Sequence, residues 1–356
     1  MNHLEENHED ELSVFTPPLT NTDVHTRQWI ECRPTNQISR ESPLEFLIPP
    51  QSVGYMDLRR STLKIKLRLT NALGQPVAKD ANVGLVNLSL QAVFLQVECS
   101  LKQTSVTQTG TNYPYKAYID TLLETSANDR VLRNSQPFEK DSPGYHDDVR
   151  NGAGLCTRSM YTDEGHLLEL EGPLHLDVFR QKRLIVNGVS LTLKLWPSKN
   201  AFRLMSGDEG AAYAVQSLDA SFKLCLQKPN AGVLMAHSKL SANGTAMYPY
   251  VSTSFKIASL SKGEYSHSEN VPSQLIVGIV SREAFSGNYK KSPFNFQPFD
   301  CNFLSLYVDG QSYPPNRYSP TSPKKITCKP TGRCRPLETT STFLTQSTVE
   351  DTQFTP

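Results

Sequence analysis

The sequence predicts an all-β protein made of two tandem β-sandwiches, of which the eight-stranded jelly roll is one form, and the second sandwich is incomplete. Runs of strictly alternating apolar and polar residues dominate the chain. Turn residues recur roughly every ten positions, as expected for sandwiches of short strands. A single segment has good helical spacing. Two such sandwiches fit a length of 356 residues.

Alternation assigns a buried and an exposed face to the strands of the first half. Successive side chains of a strand point to opposite sides. Residues 63–69 therefore direct four apolar side chains to a core and the cations Lys64, Lys66 and Arg68 to solvent. Residues 93–101 repeat the pattern. Residues 113–126 are the exception, because their apolar spacing predicts a helix.

Residues 171–196 are predicted to form a two-stranded hairpin at the edge of a sheet. Asn187-Gly188 is a strong hairpin signal, because both residue types tolerate the positive φ of a type I′ turn. The strand after the turn has an apolar and a polar face, and Pro197 closes it. The apolar face comprises Val189, Leu191, Leu193 and Leu195, and the polar face comprises Ser190, Thr192, Lys194 and Trp196.

Composition divides the chain into four segments. Ser206 to Gly210 is rich in glycine and acid and predicts a domain boundary. Beyond it only about five strands can be counted before residue 318, against eight in a jelly roll. The expected segments are a flexible N-terminal arm (1–28), the first jelly roll (29–208), a second jelly roll that lacks its last strands (209–320) and a disordered polar tail (321–356).

Two further features belong to this organisation. Residues 132–165 are rich in Asn, Asp, Gly, Pro and Ser and are predicted to be a long surface loop, lying on the exterior or at a contact with another subunit. In the second half, Asp309-Gly310 predicts a hairpin after the strand Phe303–Val308. Other strands are expected at Phe222–Leu226, Phe255–Ile257 and Leu275–Val280.

Charge and cysteine content limit the possible partners. The chain has 36 Lys and Arg against 35 Asp and Glu, so no net charge favours binding to nucleic acid or to an anionic membrane. The seven cysteines contain no CxxC pair, which favours a reducing compartment. No signal peptide opens the chain and the longest apolar run is too short to span a bilayer, so we expect a protein that is not secreted and has no membrane-spanning segment.

Five segments in a fixed order carry a family resemblance. Together they cover most of residues 13–318 and resemble the major capsid (hexon-like) protein of Polinton/Maverick elements and the related adintoviruses. The segments are SVFTPPLTNTDVHTRQWIECRPTNQI (13–38), LRRSTLKIKLRLTNALGQPVAKDANVGLVN (58–87), NYPYKAYIDTLL (112–123), GPLHLDVFRQKRLIVNGVSLTLKLWPSKNAFRLMS (172–206) and VGIVSREAFSGNYKKSPFNFQPFDCNFLSLYVDGQ (277–311).

The resemblance implies a structural protein without catalysis or cofactor. It implies two jelly rolls in tandem, homotrimeric capsomers that contact neighbouring capsomers in an icosahedral shell, and a location in a virion capsid assembled inside the host cell. The chain departs from the family in two places. Lys102-Gln103 replaces the usual Asn-Gly-type turn, and the polar tail replaces the last strands. The second departure leaves open the alternative that the chain is a genomic relic of such a gene and builds no shell.

The sharpest enzymatic alternative is a jelly-roll oxygenase. His175 and Asp177 would share one side of a strand and, with a distant His237 or His267, could provide two histidines and a carboxylate for iron. The simpler interpretation, which we prefer, places His175 and Asp177 on the solvent face of a strand. No nucleophile elbow, phosphate loop or His-Glu-x-x-His motif is present.

Other binding alternatives are weaker. Cys328 and Cys334 have a spacing unusual for zinc ligands. The cations at 64–68 could face packaged DNA but suit the solvated side of a strand. Three tyrosines of the predicted helix could stack on bases and are better explained as anchors to the sandwich. A carbohydrate-binding module would need an aromatic platform, and the chain has only Trp29 and Trp196.

Overall fold

The computed structural model describes residues 23–39, 42–52, 54–79, 81–107, 110–124, 135–139, 141–210, 212–242, 244–259, 275–299, 304–308, 311–318 and 344–354. Predictions for the N-terminal arm up to residue 22, and for His267, Cys328 and Cys334, lie outside these residues. Residues 24–28, which were predicted to belong to the flexible arm, lie instead in a strand that begins at Val24.

The described residues are mostly β-strand. The strands are β1 (Val24–Cys32), β2 (Leu44–Ile48), β3 (Tyr55–Thr70), β4 (Val83–Leu85), β5 (Phe94–Leu101), β6 (Thr104–Ser105), β7 (Leu168–Gly172), β8 (Leu191–Pro197), β9 (Leu204–Ser206), β10 (Ala214–Pro229), β11 (Ala246–Lys256), β12 (Leu275–Ile276), β13 (Leu304–Val308), β14 (Gln311–Tyr318) and β15 (Leu344–Phe354). The helices are α1 (Ser89–Ala92), α2 (Tyr113–Glu124), α3 (Ala153–Met160), α4 (Asn200–Arg203), α5 (Ala231–Ser241) and α6 (Arg282–Ser286). Short 3₁₀ helices lie at Gly110–Asn112, Asp163–Gly165 and Asp177–Phe179.

Eight strands form two four-stranded antiparallel sheets, with the orders β1-β10-β3-β7 and β2-β8-β5-β6. The pairing is nested: β1 pairs with β10, β2 with β8, β3 with β7 and β5 with β6. Successive pairs alternate between the two sheets, which is the wrapping of a jelly roll. We call this unit the first sandwich. The predicted all-β class is confirmed.

The core of the first sandwich follows the predicted alternation. The apolar residues of β3 at positions 63, 65, 67 and 69 are fully buried, and so are those of β8 at 191, 193 and 195. The intervening residues of both strands are partly exposed. The two sheets meet through Phe46 of β2 and Phe222 of β10, whose ring centroids are 6.3 Å apart. The predicted faces of both strands are therefore confirmed.

Strand β10 belongs to the first sandwich although it follows the boundary predicted at residue 208. It lies between β1 and β3, with Phe222 opposite both Cys32 and Leu63. Glycine and acid at 206–210 mark a connection within the sandwich, since local composition does not reveal a strand's distant partner. We therefore propose that the boundary lies after Pro229.

The hairpin predicted at 171–196 does not form. Strand β7 pairs with β3 in one sheet, and β8 pairs with β2 and β5 in the other. Gly188 has a φ of +77°, but Asn187 does not have the positive φ that a type I′ turn requires. Both central residues have positive φ instead in the two-residue β5–β6 turn, at Lys102 (+46°) and Gln103 (+70°).

The segment 132–165 is not simply a surface loop. It contains α3, from which Arg158 inserts with 2% relative exposure. The Arg158 guanidinium donates to the carbonyl of Leu85 at 2.9 Å and pairs with Asp141 at 3.0 Å. Residues 143–145 and 150–151 are exposed. The polar composition hid the helix, because one of its buried residues, Arg158, is itself charged and is satisfied by this pairing.

We call the residues after Pro229 the second part. Its described strands form a sheet of order β11-β15-β12 and a separate β13-β14 pair, five strands against eight in a jelly roll. Val308 lies opposite Gln311, as the predicted hairpin at Asp309-Gly310 requires. Strand β15 falls in the segment predicted to be disordered. Thr345, Thr348, Val349 and Thr352 are β-branched, which favours the extended conformation observed there.

Candidate functional site at the junction of the two parts

The described residues of the alternative metal site, His175, Asp177 and His237, do not form a metal-binding group. His175 precedes the 3₁₀ helix at 177–179 rather than lying on a strand, and its relative exposure is 8%. His237 lies on α5, where its ring stacks on Tyr55 with centroids 5.8 Å apart. The described residues contain no group of three His, Cys, Asp or Glu able to hold a metal. The preferred solvent-face interpretation of His175 and Asp177 is also wrong, because neither is exposed.

His175 and Asp177 belong instead to a buried ionic cluster with Lys116, Asp120 and Arg180. The Lys116 ammonium, 2% exposed, lies 2.9 Å from Asp120 Oδ2 and 2.8 Å from Asp177 Oδ1. Arg180 approaches the same Asp120 oxygen at 3.0 Å. Lys116, Asp120 and Asp177 thus lie largely away from bulk water, where each charge needs its partners, whereas Arg180 is 35% exposed at the edge of the cluster.

Helix α2 provides the first pair of this cluster. Lys116 and Asp120 are four residues apart, so they are neighbours on one face of the helix. That face points inward, because Tyr113 and Ala117 on the same helix are fully buried. The remaining members come from residues 175–180, which bring Asp177 to the other side of the Lys116 ammonium.

The environment shifts the pKa of two members of the cluster. Burial alone would raise the pKa of Asp120, but the His175 ring and the charges of Lys116 and Arg180 outweigh burial and lower it to about 2. Burial lowers the pKa of His175 below its ordinary value of 6.5, with partial opposition from Asp120. Asp120 is therefore ionised and His175 is neutral at pH 7.

Asp177 connects the cluster to the second part. Its carboxylate accepts hydrogen bonds from the Thr253 backbone N–H at 2.7 Å and from the Thr253 hydroxyl at 3.1 Å. Thr253 lies on β11. One buried carboxylate therefore binds a lysine of the first sandwich and a strand of the second part.

Two more hydrogen bonds attach β11 to the first sandwich. Arg183 donates to the Met247 carbonyl at 2.8 Å, and the Val186 N–H donates to the Tyr248 hydroxyl at 3.1 Å. Both donors lie in the connection between β7 and β8, the stretch where a hairpin strand was predicted. The connection between β7 and β8 therefore forms hydrogen bonds to the second part instead of a hairpin strand.

An aromatic cluster lies at the same junction. Tyr118 of α2 stacks on Phe294 with ring centroids 4.3 Å apart and planes within 1° of parallel. Tyr115 contacts Phe255 of β11 and Phe285 of α6 at 6.4 and 5.5 Å. The predicted role of the helix tyrosines as anchors thus agrees with these contacts, although they anchor the second part as well as the sandwich. The cluster comprises Tyr115, Tyr118, Phe138, Phe202, Phe255, Phe285, Phe294 and Phe296.

A third attachment is made by Asp147 of the segment predicted to be a loop. Its carboxylate accepts from the Ser292 N–H at 2.7 Å and from the Asn295 side-chain amide at 2.9 Å. Tyr289 adds a hydrogen bond to the Tyr213 carbonyl at 2.8 Å. Residues 289–296 are therefore held from several sides by the first sandwich.

This arrangement is suited to rigid connection. The charges of Lys116, Asp120 and Asp177 are engaged with one another, and aromatic rings fill the adjacent space. The Nδ1 atom of His175 lies 3.8 Å from Asp120, beyond hydrogen-bond distance. These contacts supply cross-links between distant segments of the chain.

The cations of β3 make polar contacts with the two neighbouring strands. Lys64 and Lys66 both pair with Glu169 of β7, and Arg68 donates to Gln216 of β10. The predicted solvated role fits this geometry better than contact with DNA. Trp29 is 54% exposed on β1, whereas Trp196 is only partly exposed on β8.

One contact at the junction can be predicted from the sequence. The four-residue spacing of Lys116 and Asp120 on a predicted helix indicates an ion pair. Nothing in the sequence indicates its burial or its distant partner Asp177. Phe294 and Phe296 have strand-like spacing, which does not predict that they pack on α2.

The comparisons with known proteins give limited similarity. No protein-family model matches the chain. An uncharacterized Caenorhabditis elegans protein, F54H12.2, is 22% identical over 318 residues, which cover 83% of this chain and 73% of that protein.

The similar solved structures come from viruses. A chain of the cryo-EM structure of the Sputnik virophage has a TM-score of 0.44 and 12% identity, over 75% of this chain and 61% of that one. The mavirus major capsid protein has a TM-score of 0.34 and 10% identity, over 72% and 57% of the two chains. The Faustovirus major capsid protein has a TM-score of 0.38 and 10% identity, over 71% and 61%. This chain therefore spans about three fifths of the length of these structures.

No helix in the described part of the chain is long and apolar enough to cross a membrane.

Proposed function

We propose that this chain is a structural capsid subunit that self-associates into trimeric capsomers of an icosahedral shell, of a Polinton-like or adintovirus-like DNA virus or of its integrated copy. Its place is then the virion capsid, assembled inside the host cell. Its partners are two further copies of the chain and neighbouring capsomers. It acts through packing and has no catalytic role.

The observation that carries the proposal is the complete nested jelly roll with a second antiparallel sheet attached to it. The strand orders β1-β10-β3-β7 and β2-β8-β5-β6 close one sandwich. Five sequence segments in family order point to the same architecture. The mavirus and Faustovirus structures to which the chain is similar are major capsid proteins.

The junction suits a capsid subunit physically. A shell subunit must transmit load between its parts without changing shape. Buried ionic contacts at Asp177 and stacked rings at Phe294 fix the orientation of the second part where they meet the sandwich. Three rigid two-part subunits give a pseudo-hexagonal unit that can tile a lattice.

The test is the mass of the purified full-length chain, measured by light scattering across a size-exclusion peak. The proposal expects one species of three times 39.7 kDa, the mass of the chain. Negative-stain images of that peak should show particles with three-fold symmetry. A folded chain that stays monomeric at high concentration contradicts the proposal and favours a relic that builds no shell. Raising protein concentration separates weak assembly from none, because trimer formation depends on the third power of concentration.

A further inference from the structure

We propose that Lys116 and Asp177 condense into an isopeptide bond within the chain, with Asp120 as the proton carrier. The Lys116 ammonium lies 2.8 Å from Asp177 Oδ1 and 2.9 Å from Asp120 Oδ2. An amine, an adjacent carboxyl group and a second carboxylate are the three groups that such a condensation needs. The reaction occurs once in each chain and uses no external substrate.

The reacting side chains are shielded from bulk water. The side chain of Lys116 is 2% exposed, and those of Asp120 and Asp177 are 13% and 10% exposed. Burial disfavours charge, so it lowers the cost of moving a proton from the Lys116 ammonium to the Asp177 carboxylate. That transfer produces the neutral amine and the carboxylic acid that react with each other.

The carboxyl group of Asp177 is held and polarised by the second part. The Thr253 backbone N–H donates to Oδ2 at 2.7 Å, and the Thr253 hydroxyl donates to Oδ1 at 3.1 Å. These donors stabilise the negative charge that develops on the carboxyl oxygens when the amine adds to the carbon. The same hydrogen bonds fix the orientation of the carboxyl group relative to Lys116.

Both reacting residues are held by helical backbone. Lys116 lies within α2, and Asp177 is the first residue of the 3₁₀ helix at 177–179. Well-oriented groups within one molecule react with effective molarities of about 10⁵–10⁸ M. Proximity of this kind offsets the unfavourable equilibrium that an amine and a carboxylic acid have in open water.

The reaction balances without a further reactant. The Lys116 ammonium passes one proton to the Asp177 carboxylate, and the resulting amine attacks the carboxyl carbon to form the C–N bond. The nitrogen becomes positively charged as this bond forms, and it passes a second proton to Asp120. Asp120 returns that proton to the hydroxyl group on the carbon, the C–O bond breaks and one water leaves.

The cluster remains electrically balanced after the reaction. Lys116 and Asp177 lose opposite charges together when the neutral amide forms. Asp120 recovers its negative charge and keeps Arg180 as its partner at 3.0 Å. The reaction therefore leaves neither charge of this remaining pair without a partner. The bond fastens α2 to the connection between β7 and β8, beside the contact with Thr253.

The test is the mass of the purified full-length chain, measured by mass spectrometry after denaturation and reduction. We expect most chains to be lighter than the sequence by one water. Trypsin should then yield a branched peptide that joins residues 103–130 to residues 159–180, because an acylated Lys116 is not cleaved. The Lys116→Arg variant keeps the charge but offers no amine, so it should have the full mass of its sequence.

Two further variants test the role of Asp120. Asp120→Asn should lower the cross-linked fraction about tenfold or more, because a positioned proton carrier contributes about 10²–10⁴-fold to a rate. Glu124→Gln is the matched control. It removes the other carboxylate that pairs with Arg180, one turn along the same helix, and should leave the cross-linked fraction unchanged. Circular dichroism confirms that each variant is folded.

The unsubstituted chain decides the proposal without reference to any variant. A folded chain at full mass overturns the bond, and so does a loss of water without the branched peptide. Equal cross-linking in Asp120→Asn and Glu124→Gln overturns the role of Asp120. The bond forms within one chain, so this measurement and the trimer measurement fail or succeed separately.

Discussion

The first sandwich and the second part differ in how they bury their side chains. The sandwich encloses its own core, and every apolar side chain at 63, 65, 67, 69, 191, 193 and 195 is fully buried. In the second part, α5 has no buried residue, and β11 buries only Tyr248 and Ser252. Its buried residues Tyr248, Phe294 and Phe296 belong to the core that begins in the sandwich. We therefore expect the sandwich to fold by itself and the described second part to depend on the junction.

The largest expected effect comes from breaking the sandwich itself. Leu193→Asp places an unpaired charge in the core of β8, at a cost of several kcal/mol against a total stability of about 5–15 kcal/mol. We expect loss of cooperative unfolding in circular dichroism for the whole chain. Thr192→Asp, on the partly exposed face of the same strand, should change stability by about 0.5 kcal/mol or less. A soluble, cooperatively folded Leu193→Asp chain would contradict the face assignment.

The next effect separates a buried from an exposed ion pair. Lys116→Met leaves Asp120 and Asp177 buried without their lysine and should cost about 3–5 kcal/mol. Lys64→Met is the control, because its pair with Glu169 lies on the surface and should be worth about 0–1 kcal/mol. Denaturant titration of both variants measures the difference. Similar losses in the two variants would mean that the cluster is not the main link to the second part.

A milder change at the aromatic cluster should loosen the second part and leave the sandwich intact. Phe294→Leu keeps the apolar volume but removes the stack on Tyr118, which is worth about 0.5–1.5 kcal/mol. Amide hydrogen exchange should accelerate at residues 246–256 and remain slow in β3 and β8. Phe299→Leu, at a half-exposed position, is the control. Uniform acceleration in both parts would show that they unfold together.

A change within the first sandwich alone should stabilise it. Gln103 holds a φ of +70°, and left-handed backbone costs a residue with a Cβ about 1–2 kcal/mol. Gly at this position loses about 0.5–1 kcal/mol of chain entropy, so Gln103→Gly should gain about 0.5–1 kcal/mol. Thr104→Gly, one residue later in β6, should lower stability instead. Thermal unfolding of the two variants should shift in opposite directions.

The smallest effect is a pH dependence at the junction. The pKa of His175 is lowered in the folded chain, so the unfolded chain binds a proton first as the pH falls below 6.5. Stability is therefore fully present above pH 6.5 and declines as the pH falls through the lower folded pKa. In the His175→Gln variant, the unfolding midpoint should change less between pH 7 and pH 5 than it does in the unsubstituted chain. Asp120, whose pKa is about 2, adds its own loss only between about pH 4 and 2. An unchanged profile in His175→Gln would assign the dependence to another group.

The sequence predicted what depends on local periodicity. Alternation placed Leu63 and Leu193 in the core, and helical spacing predicted α2 within two residues of its observed end. The hairpin predicted at Asn187-Gly188 was wrong, because a turn signal does not determine which strands will pair. The positive-φ turn formed at Lys102-Gln103, where the surrounding pairing of β5 and β6 imposes it. Tertiary pairing overrode turn preference at both places.

The candidate site was less predictable than the fold. The assignment of His175 and Asp177 to a strand placed both on a solvent face, whereas His175 precedes a 3₁₀ helix that begins at Asp177 and neither side chain is exposed. Asp177 lies 61 positions from Lys116 and 76 from Thr253, and only the folded chain shows that these three meet. A charged residue in a polar stretch has the same local pattern whether it is exposed or buried in an ion pair.

The central place of β10 has a consequence for synthesis. Because β10 separates β1 from β3, the four-stranded sheet cannot close until residue 229 has left the ribosome. At translation rates of about 5–20 residues per second, β1 waits roughly 10–40 s for its partner. During that interval the nascent chain presents both edges of β1 and one edge of β3. The segment most exposed to premature association between neighbouring nascent chains is therefore the first strand to emerge.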